Sequence, residues 1–380
     1  MSSLVAALSP HYAARMFLTF RSPSRYVQGP DATSQLGRQL QLMGLTGPAL
    51  ILASAGSRAR SGSLWAESLA AAGIPLVVHE FGGESSQDEI DSGVAAARAS
   101  GAEVIVGAGG GKTLDTARAI AGTLGLAVVS CPTLASNDAP CAAVSVIYTP
   151  DSVYERLIFY PRNPDLVLVD TTIIANAPRR YLVSGMGDAL ATWFEARTVA
   201  EARTPNQVGG LTTITAKALA RLCYDTLIAD GLEAANAVDA RAVTPALERI
   251  VEANTLLSGL GFESGGLAIA HSVHNGLTTA GPTHAYLHGE KVAFGLVVQL
   301  VVEGQSSDEI DTVIRFCRSV GLPTTLGGLG LADADDDTIR VIAERTVAEG
   351  ETAHNEPFGV SARMIADGIR AADARSRTMA

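Results

Sequence analysis

The chain has 380 residues, of which 47% are hydrophobic and 18% charged, a composition typical of a globular protein large enough for two domains. Its net charge of −11 comes from 28 basic and 39 acidic residues, and because no basic run interrupts this excess, nucleic-acid and anionic-membrane partners are not expected. No stretch approaches the roughly 18 apolar residues that a membrane span needs. The four cysteines form no CxxC pair, which predicts a reducing, cytoplasmic setting.

The first 15 residues carry a short apolar run without a basic segment before it. A secretory signal needs both features. We therefore expect residues 1–15 to be a ragged extension, with Met16 as a candidate alternative start.

Between about residues 21 and 170, short apolar runs alternate with alanine-rich helical stretches. Such alternation predicts a parallel sheet covered by helices on both faces. The predicted strands are 49–54, 75–80, 103–109, 127–132, 143–149 and 166–170.

After Pro178 nearly every segment repeats its apolar residues at spacings of three and four, which predicts helices. We therefore expect an α/β domain over residues 1–178 and an all-helical domain over residues 179–380. A cleft between two such domains is the usual place for a small ligand.

A glycine-rich turn follows the predicted strand 103–109. Gly109, Gly110 and Gly111 precede Lys112, which begins the next helix. Glycine lets a ligand approach the backbone closely, and a helix N-terminus attracts phosphate. The spacing fits neither GxxxxGK[ST] nor GxGxxG, but three glycines before a lysine favour a phosphate site over a simple turn.

A polar loop follows the strand 127–132 and contains Thr133, Ser136, Asn137 and Asp138. In α/β proteins the carboxyl ends of the strands bind ligands. The same Ser-Asn-Asp-Ala-Pro sequence is also typical of an ordinary turn, and the sequence alone leaves both interpretations open.

Four of the seven histidines, His271, His274, His284 and His288, fall within 18 residues. Two histidines and one carboxylate with an open position form a usual catalytic zinc site. The carboxylate candidates are Glu263, Glu290 and the remote Asp188, whose apolar surroundings require a partner or a metal. The alternative is a set of hydrogen-bonded helix histidines.

Several long segments together resemble one family. They are FGGESSQDEID, GGGKTLDTA, SNDAPCAAVSVIYT, GMGDALATWFEAR, TPALERIVEANTLLSGLGFESGGLAIAHSVHNGLT, HGEKVAFG and EGETAHN. From about Arg21 to the C-terminus the chain resembles glycerol dehydrogenases of the iron-containing alcohol dehydrogenase and dehydroquinate synthase superfamily.

The resemblance implies a Rossmann-like domain followed by a helical domain, and NAD-linked, reversible oxidation of glycerol to dihydroxyacetone through a metal-bound alkoxide and hydride transfer to nicotinamide. It also implies a homo-oligomer and one Zn²⁺ per chain. Asp188, His271 and His288 match the zinc ligands, and Asp138 matches a substrate-contacting aspartate. We expect His274 to support the metal site or relay protons. The matched cofactor contacts are Gly110, Gly111, Lys112, Thr133, Ser136 and Tyr148.

The chain departs from the family at three positions. Ser54 stands where relatives carry an acid that binds the adenosine ribose, and Arg58 and Arg60 follow it closely. The missing carboxylate predicts that NADP is accepted beside NAD. Asn137 and Ala142 replace a threonine and a serine near the expected substrate and nicotinamide, which makes the reaction class a firmer prediction than glycerol itself.

Four other functions compete with this prediction. The first two are a dehydrogenase for another polyol and one for glycerol phosphate, and the third is a lyase like dehydroquinate synthase. Phosphorylated or carboxylated substrates call for basic residues, which the segment 133–148 lacks. A non-catalytic zinc protein is disfavoured by the complete set Asp188, His271 and His288.

Overall fold

The computed structural model describes residues 17–151 and 153–379. The predicted extension 1–15 and the candidate start Met16 lie outside the described residues.

A six-stranded parallel sheet forms the N-terminal half, and its strand order is β1-β8-β5-β4-β2-β3. The strands β2 and β4 are wholly buried because helices cover both faces of the sheet. The strands of the described residues have the bounds β1 Arg25–Gly29, β2 Ala49–Ala53, β3 Leu76–Glu80, β4 Val104–Gly109, β5 Ala127–Pro132, β6 Val144–Tyr148, β7 Tyr154–Phe159 and β8 Leu166–Asp170.

The register of the sheet brings the predicted ligand-binding turns to one edge. Ala53 at the end of β2 pairs with Ala108 on β4, and Gly109 on β4 pairs with Pro132 on β5. Parallel strands end on the same side, so the residues that follow β2, β4 and β5 are neighbours at the carboxyl edge.

The strand predicted at 143–149 exists as β6 but is not part of the parallel sheet. It pairs antiparallel with β7, which the sequence analysis missed, and this hairpin packs on one of the helices that cover the sheet. A short apolar run fits a central strand and a hairpin strand equally well, because periodicity does not report the pairing partner. The strand β1 was also missed, since RYVQG carries too few apolar residues to stand out.

The C-terminal half is helical, as predicted, and α6 begins directly after Pro178, which is its N-cap. The fold class, an α/β parallel-sheet region followed by a helical region, is confirmed. The helices have the bounds α1 Leu36–Leu42, α2 Ala55–Ala71, α3 Gln87–Ser100, α4 Gly111–Leu124, α5 Thr171–Ala175, α6 Arg179–Ala202, α7 Ile214–Asp239, α8 Pro245–Glu252, α9 Ser258–Gly265, α10 Ile269–Leu277, α11 His288–Val302, α12 Ser307–Val320, α13 Asp336–Thr346 and α14 Ala362–Thr378.

The largest apolar core joins α6, α7, α10 and α11 with the helices that follow them. Among the described residues, no helix combines the length and the apolar character needed to cross a membrane. The division into two domains at residue 178 stays a prediction.

Candidate active site

Asp188 lies in the middle of α6, at a point where α11 approaches α6 very closely. The exposed fraction of Asp188 is 1%. A Cβ on Gly289 would lie 1.8 Å from the Ser184 carbonyl oxygen, and a Cβ on Gly187 would lie 2.3 Å from the Gly289 carbonyl oxygen. Only glycines allow this backbone approach, so the sequence GMGD on α6 and the HG pair on α11 bring Asp188 to His288.

The predicted triad meets around one carboxylate oxygen. The Nε2 atoms of His271 and His288 lie 3.3 Å and 3.1 Å from Oδ1 of Asp188. Burial alone would raise the pKa of Asp188, but the two imidazoles outweigh it and lower that pKa. The pKa of His271 is lowered by burial and raised more strongly by the carboxylates of Glu195 and Asp188, so it lies well above the usual value.

These three side chains fit a metal ion. Their donor atoms all lie within 4.8 Å of one another, and donors around a tetrahedral zinc are roughly 3.3 Å apart when each bond is about 2.0–2.1 Å long. The spacings to Asp188 have that size. Two imidazoles and one carboxylate also leave a coordination position open for a substrate. The role of the triad as metal ligands stays a prediction that this geometry supports.

The other carboxylates considered in the sequence analysis are occupied elsewhere. Glu290 pairs with Arg180 at 2.7 Å, and Glu263 accepts hydrogen bonds from the Ala143 N–H and the Asn163 amide. His284 is directed to the Thr278 carbonyl at 2.9 Å and does not join the cluster.

Glu195 stands directly behind His271 and was missed by the sequence analysis. Its Oε2 lies 2.6 Å from Nδ1 of His271, and the exposed fraction of Glu195 is 0%. A signal was present, because Glu195 follows Asp188 by seven residues, which is two helical turns on the same face of α6.

His274 lies behind the second imidazole. Its Nε2 is 3.0 Å from Nδ1 of His288, and its Nδ1 is 3.1 Å from Oδ1 of Asn275. Asn275 in turn donates to Glu351 at 2.9 Å. Burial, followed by the charges of His288 and Lys291, lowers the pKa of His274 well below its usual value. The structure thus places His274 against a triad member, and its catalytic role stays a prediction.

Asp138 borders the triad from the sheet side. Its backbone N–H donates to Oδ2 of Asp188 at 3.2 Å, and its Oδ2 accepts from Ser258 at 2.9 Å. Burial, together with the neighbouring charge of Asp188, raises the pKa of Asp138 well above its usual value. This carboxyl group therefore lies beside the position that a substrate bound at the metal would occupy.

A π-helical turn, Ala253–Leu257, lies between α8 and α9 and contacts both α6 and the loop that carries Asp138. Within it Asn254 donates to the carbonyls of Ala135 and Leu182, and Ser258 directly after it reaches Asp138. Turns of this type often occur at functional sites. Only helices were predicted for this half of the chain, because a π-helical turn of five residues is too short to show in the apolar pattern.

The glycine-rich turn lies beside the same loop. A Cβ on Gly111 would be 3.0 Å from the Asn137 amide nitrogen, and the Thr133 N–H donates to the Gly109 carbonyl at 3.0 Å. The N-cap of α4 is Gly110, which provides no side-chain hydrogen bond, whereas α2 and α3 are capped by Ser54 and Ser86. The N-terminus of α4 therefore suits an anionic ligand such as pyrophosphate.

Lys112 and Tyr148 lie next to this turn. The Lys112 ammonium is 2.6 Å from Glu84 and 5.2 Å from the centre of the Tyr148 ring. Burial raises the pKa of Tyr148 to about 12, so its hydroxyl stays neutral. Both predicted cofactor residues thus border the N-terminus of α4, with Glu84 as the present partner of the lysine.

Ser54 occupies the end of β2 and caps α2 by accepting from the Ser57 N–H at 3.2 Å. The exposed Arg60 folds back over the first turn of α2, since a Cβ on Gly56 would lie 3.3 Å from its guanidinium. The side-chain stem of Arg58 instead lies along Gly62. Ser136 belongs to the loop that reaches α6, where its carbonyl accepts from Ser184.

Comparisons with known proteins show the family of the chain. The iron-containing alcohol dehydrogenase family model matches residues 23–171. A glycerol dehydrogenase of Citrobacter freundii is 48% identical over 94% of this chain and 98% of its own length. A glycolaldehyde reductase of Halobacterium salinarum is 47% identical over 95% of this chain and 99% of its own.

The crystal structure of glycerol dehydrogenase from Schizosaccharomyces pombe superimposes with a TM-score of 0.91 at 39% identity, covering 96% of this chain and 92% of that one. Likeness over nearly the whole length of these proteins, at such identities, shows common descent and a common reaction type. The chain therefore belongs to the iron-containing alcohol dehydrogenase family, where it groups with the glycerol dehydrogenases as an alcohol-oxidising enzyme.

Proposed function

We propose that this enzyme interconverts glycerol, or a related vicinal diol, and the corresponding hydroxyketone, with NAD or NADP as the hydride carrier and one zinc ion per chain. The observation that carries the proposal is the convergence of His271 and His288 on buried Asp188. The loop residues 137–138 contact both Asp188 and the glycine-rich turn. The metal ion and the cofactor would thus bind on either side of the loop that contains Asp138.

Asp188, His271 and His288 would hold the zinc. Zinc in that position supplies a Lewis acid for the substrate hydroxyl, and bound nicotinamide accepts the hydride from carbon. The protein supplies position: Asp138 is held by Ser258 through Oδ2, and we assign its Oδ1 to a second hydroxyl of the substrate. A hydroxyl next to the reacting carbon would then be recognised by hydrogen bonding.

The relatives' names support a substrate with adjacent oxygens. Glycerol and glycolaldehyde, named for two similar proteins, both carry a hydroxyl next to the carbon that changes oxidation state. A phosphorylated or carboxylated substrate is disfavoured, because the segment 133–148, which includes Asp138 beside the triad, contains no basic residue. This argues against glycerol phosphate and against a dehydroquinate-synthase-like lyase reaction.

At the cofactor edge, the N-terminus of α4 and Lys112 would bind the pyrophosphate, with Gly110 and Gly111 providing room. Thr133, Ser136 and Tyr148 would contact the rest of the dinucleotide. At the adenosine end Ser54 brings no charge, and Arg60 lies over the first turn of α2. Because a 2′-phosphate meets no carboxylate at Ser54 and has a guanidinium nearby, we propose that NADP is used as well as NAD.

Two expectations from the sequence stay predictions: the cytoplasmic location and the homo-oligomeric state. The binding partners that we infer from the site are two small molecules, a polyol and a dinucleotide.

The test is initial-rate formation of NADH and NADPH with glycerol, 1,2-propanediol and 2-propanol. Each is measured on native protein, after chelation, and after adding back Zn²⁺, Fe²⁺ or Mn²⁺. We expect the diols to react faster than 2-propanol, the rate to vanish on chelation and zinc to restore it. Full activity after complete metal removal would refute the zinc site, and turnover of 2-propanol alone would refute the diol assignment.

The same assay compares kcat/KM for the two cofactors. We expect the values for NAD and NADP to lie well within a factor of about 1000, the discrimination that roughly 4 kcal/mol would produce. A preference for NAD of that size would contradict the NADP proposal and leave the diol proposal intact.

A further inference from the structure

The two triad histidines are supported in different ways. Both direct Nε2 at Asp188, but the Nδ1 of His288 faces the imidazole of His274, whereas the Nδ1 of His271 faces the carboxylate of Glu195. Among the described residues, Glu195 thus contacts a triad histidine on the ring nitrogen that points away from the metal-binding cluster.

Glu195 also organises the helix that carries His271. Its Oε1 accepts from the backbone N–H of Ala268 at 2.8 Å and from that of His271 at 3.1 Å. These N–H groups belong to the N-cap residue Ala268 and to the first turn of α10, and the N-cap side chain makes no hydrogen bond. The positive end of the helix dipole therefore stabilises a carboxylate that no water reaches.

The two carboxylate oxygens of Glu195 thus hold both the backbone and the imidazole ring of His271. A carboxylate only accepts hydrogen bonds, so a close Nδ1 must carry the proton. The Nε2 of a neutral His271 then has a lone pair directed at the space beside Asp188. A carboxylate behind an imidazole also makes that imidazole a stronger metal donor.

We propose that Glu195 is a positioning residue for metal binding: it fixes the tautomer and the direction of His271 and ties both to the start of α10. The inference rests on the proposed function, because it requires that the triad binds a metal ion. Substitution of Glu195, which is not a member of the triad, should therefore lower the affinity of the triad for the metal ion.

Gln299 provides a matched control. It lies on α11 with 0% exposure, and its Oε1 accepts from the Ala270 N–H at 2.9 Å. Gln299 therefore supports the same helix turn as Glu195 without touching the imidazole. Exchanging Gln299 for methionine removes a support of α10 and leaves the contact between Glu195 and His271 in place.

The decisive variant is Glu195→Gln. A glutamine can still accept from the two backbone N–H groups through its oxygen, but its NH₂ then faces Nδ1 of His271. That ring nitrogen must become the acceptor and the proton moves to Nε2, which blocks coordination. We expect the zinc Kd of the full-length protein, measured by calorimetric titration against a competing chelator, to rise about 10–100-fold.

A second variant keeps the inference testable if Glu195→Gln does not fold. Glu195→Asp keeps the negative charge at the start of α10 but is one methylene too short to reach both partners. We expect its zinc Kd to rise as well, whereas Gln299→Met should stay within about threefold of the native value, a margin small beside the effect of a lost metal-orienting partner. In Co²⁺-loaded protein, the visible spectrum should change for the Glu195 variants and stay native for Gln299→Met.

The results separate the inference from the proposed function. If native protein binds no zinc at the triad, the proposed function fails. If native protein binds zinc and a folded Glu195 variant binds it equally tightly, the positioning role is refuted. Equal weakening by Gln299→Met would also refute it, because support of α10 alone would then account for the effect.

Discussion

The metal half and the cofactor half of the site are built differently. Around the metal triad the charged groups are buried and already paired: Asp188 and Glu195 have exposed fractions of 1% and 0%. At the cofactor edge the main features are backbone N–H groups of a glycine-capped helix and a half-exposed lysine, whose side chain is 46% exposed.

Because of this difference, we expect the two halves to tolerate substitutions unequally. A buried charge without its partner costs several kcal/mol, so each exchange in the metal half should disturb the whole site. A pyrophosphate held by main-chain groups depends little on any side chain. We therefore expect side chains at the cofactor edge, such as Ser54, to tolerate substitution better than those of the metal half.

The largest expected effect is in the metal half. Asp188→Asn keeps the shape of the side chain but removes the charge that two imidazoles share. We expect zinc binding to be lost and kcat/KM with glycerol to fall by about 10³-fold or more, equivalent to roughly 4 kcal/mol of transition-state stabilisation. Metal analysis after gel filtration and steady-state kinetics measure both effects.

Asp373→Asn is the control, because Asp373 is also buried but pairs with Arg377 on α14. It should keep its zinc. Retention of zinc and activity by Asp188→Asn would show that the triad is not the metal site.

A smaller, selective effect is expected in the cofactor half. Ser54→Asp places a carboxylate where we propose that the adenosine ribose binds, and it should lower kcat/KM for NADP about 100-fold through repulsion of the 2′-phosphate, with NAD use retained. Ser54→Asn has a similar size without charge and should keep NADP activity. Equal effects of both variants on NADP would mean that charge at this position does not set the preference.

The smallest effect concerns stability and its dependence on pH. Glu356 is buried behind the metal half, and burial, with the charges of Glu303 and Glu195, raises its pKa to about 8. In the unfolded chain the pKa of this carboxyl is near its ordinary value of 4.5. Between these two values the unfolded state binds fewer protons than the folded state, so this group makes folding stability fall as pH rises.

Glu356→Gln cannot ionise, so the variant should lose that part of the pH dependence. Between pH 5 and 8 we expect it to gain on the order of 2–4 kcal/mol relative to native protein, seen as a flatter plot of Tm against pH. Glu349→Gln changes an exposed glutamate of the same segment and should follow the native curve. A native-like slope for Glu356→Gln would contradict the assignment.

The residues of the metal half and of the cofactor half were not equally predictable from the sequence. The histidine cluster was visible because its members are close in the chain, and α10 and α11 carry them to one point. Asp188 was recognisable as an acid on an apolar helix. Glu195 was not, because a glutamate after Trp193 and Phe194 in an amphipathic pattern looks like a surface residue until the fold buries it.

At the cofactor edge the glycine-rich turn was found from local sequence, and β2, β4 and β5 confirmed its place at the edge of the parallel sheet. The misplaced strand β6 and the unrecognised π-helical turn Ala253–Leu257 share a cause. Both depend on contacts with distant segments, and apolar periodicity carries no information about them.

The proposed reaction depends on one metal ion bound between Asp188, His271 and His288. Anomalous diffraction at the zinc absorption edge, from crystals of zinc-loaded protein with a bound dinucleotide, tests it most directly. We predict one peak per chain, about 2.0–2.2 Å from an oxygen of Asp188 and from Nε2 of both histidines. If the enzyme is active and zinc-dependent but the anomalous peak lies elsewhere, these three residues do not bind the catalytic metal.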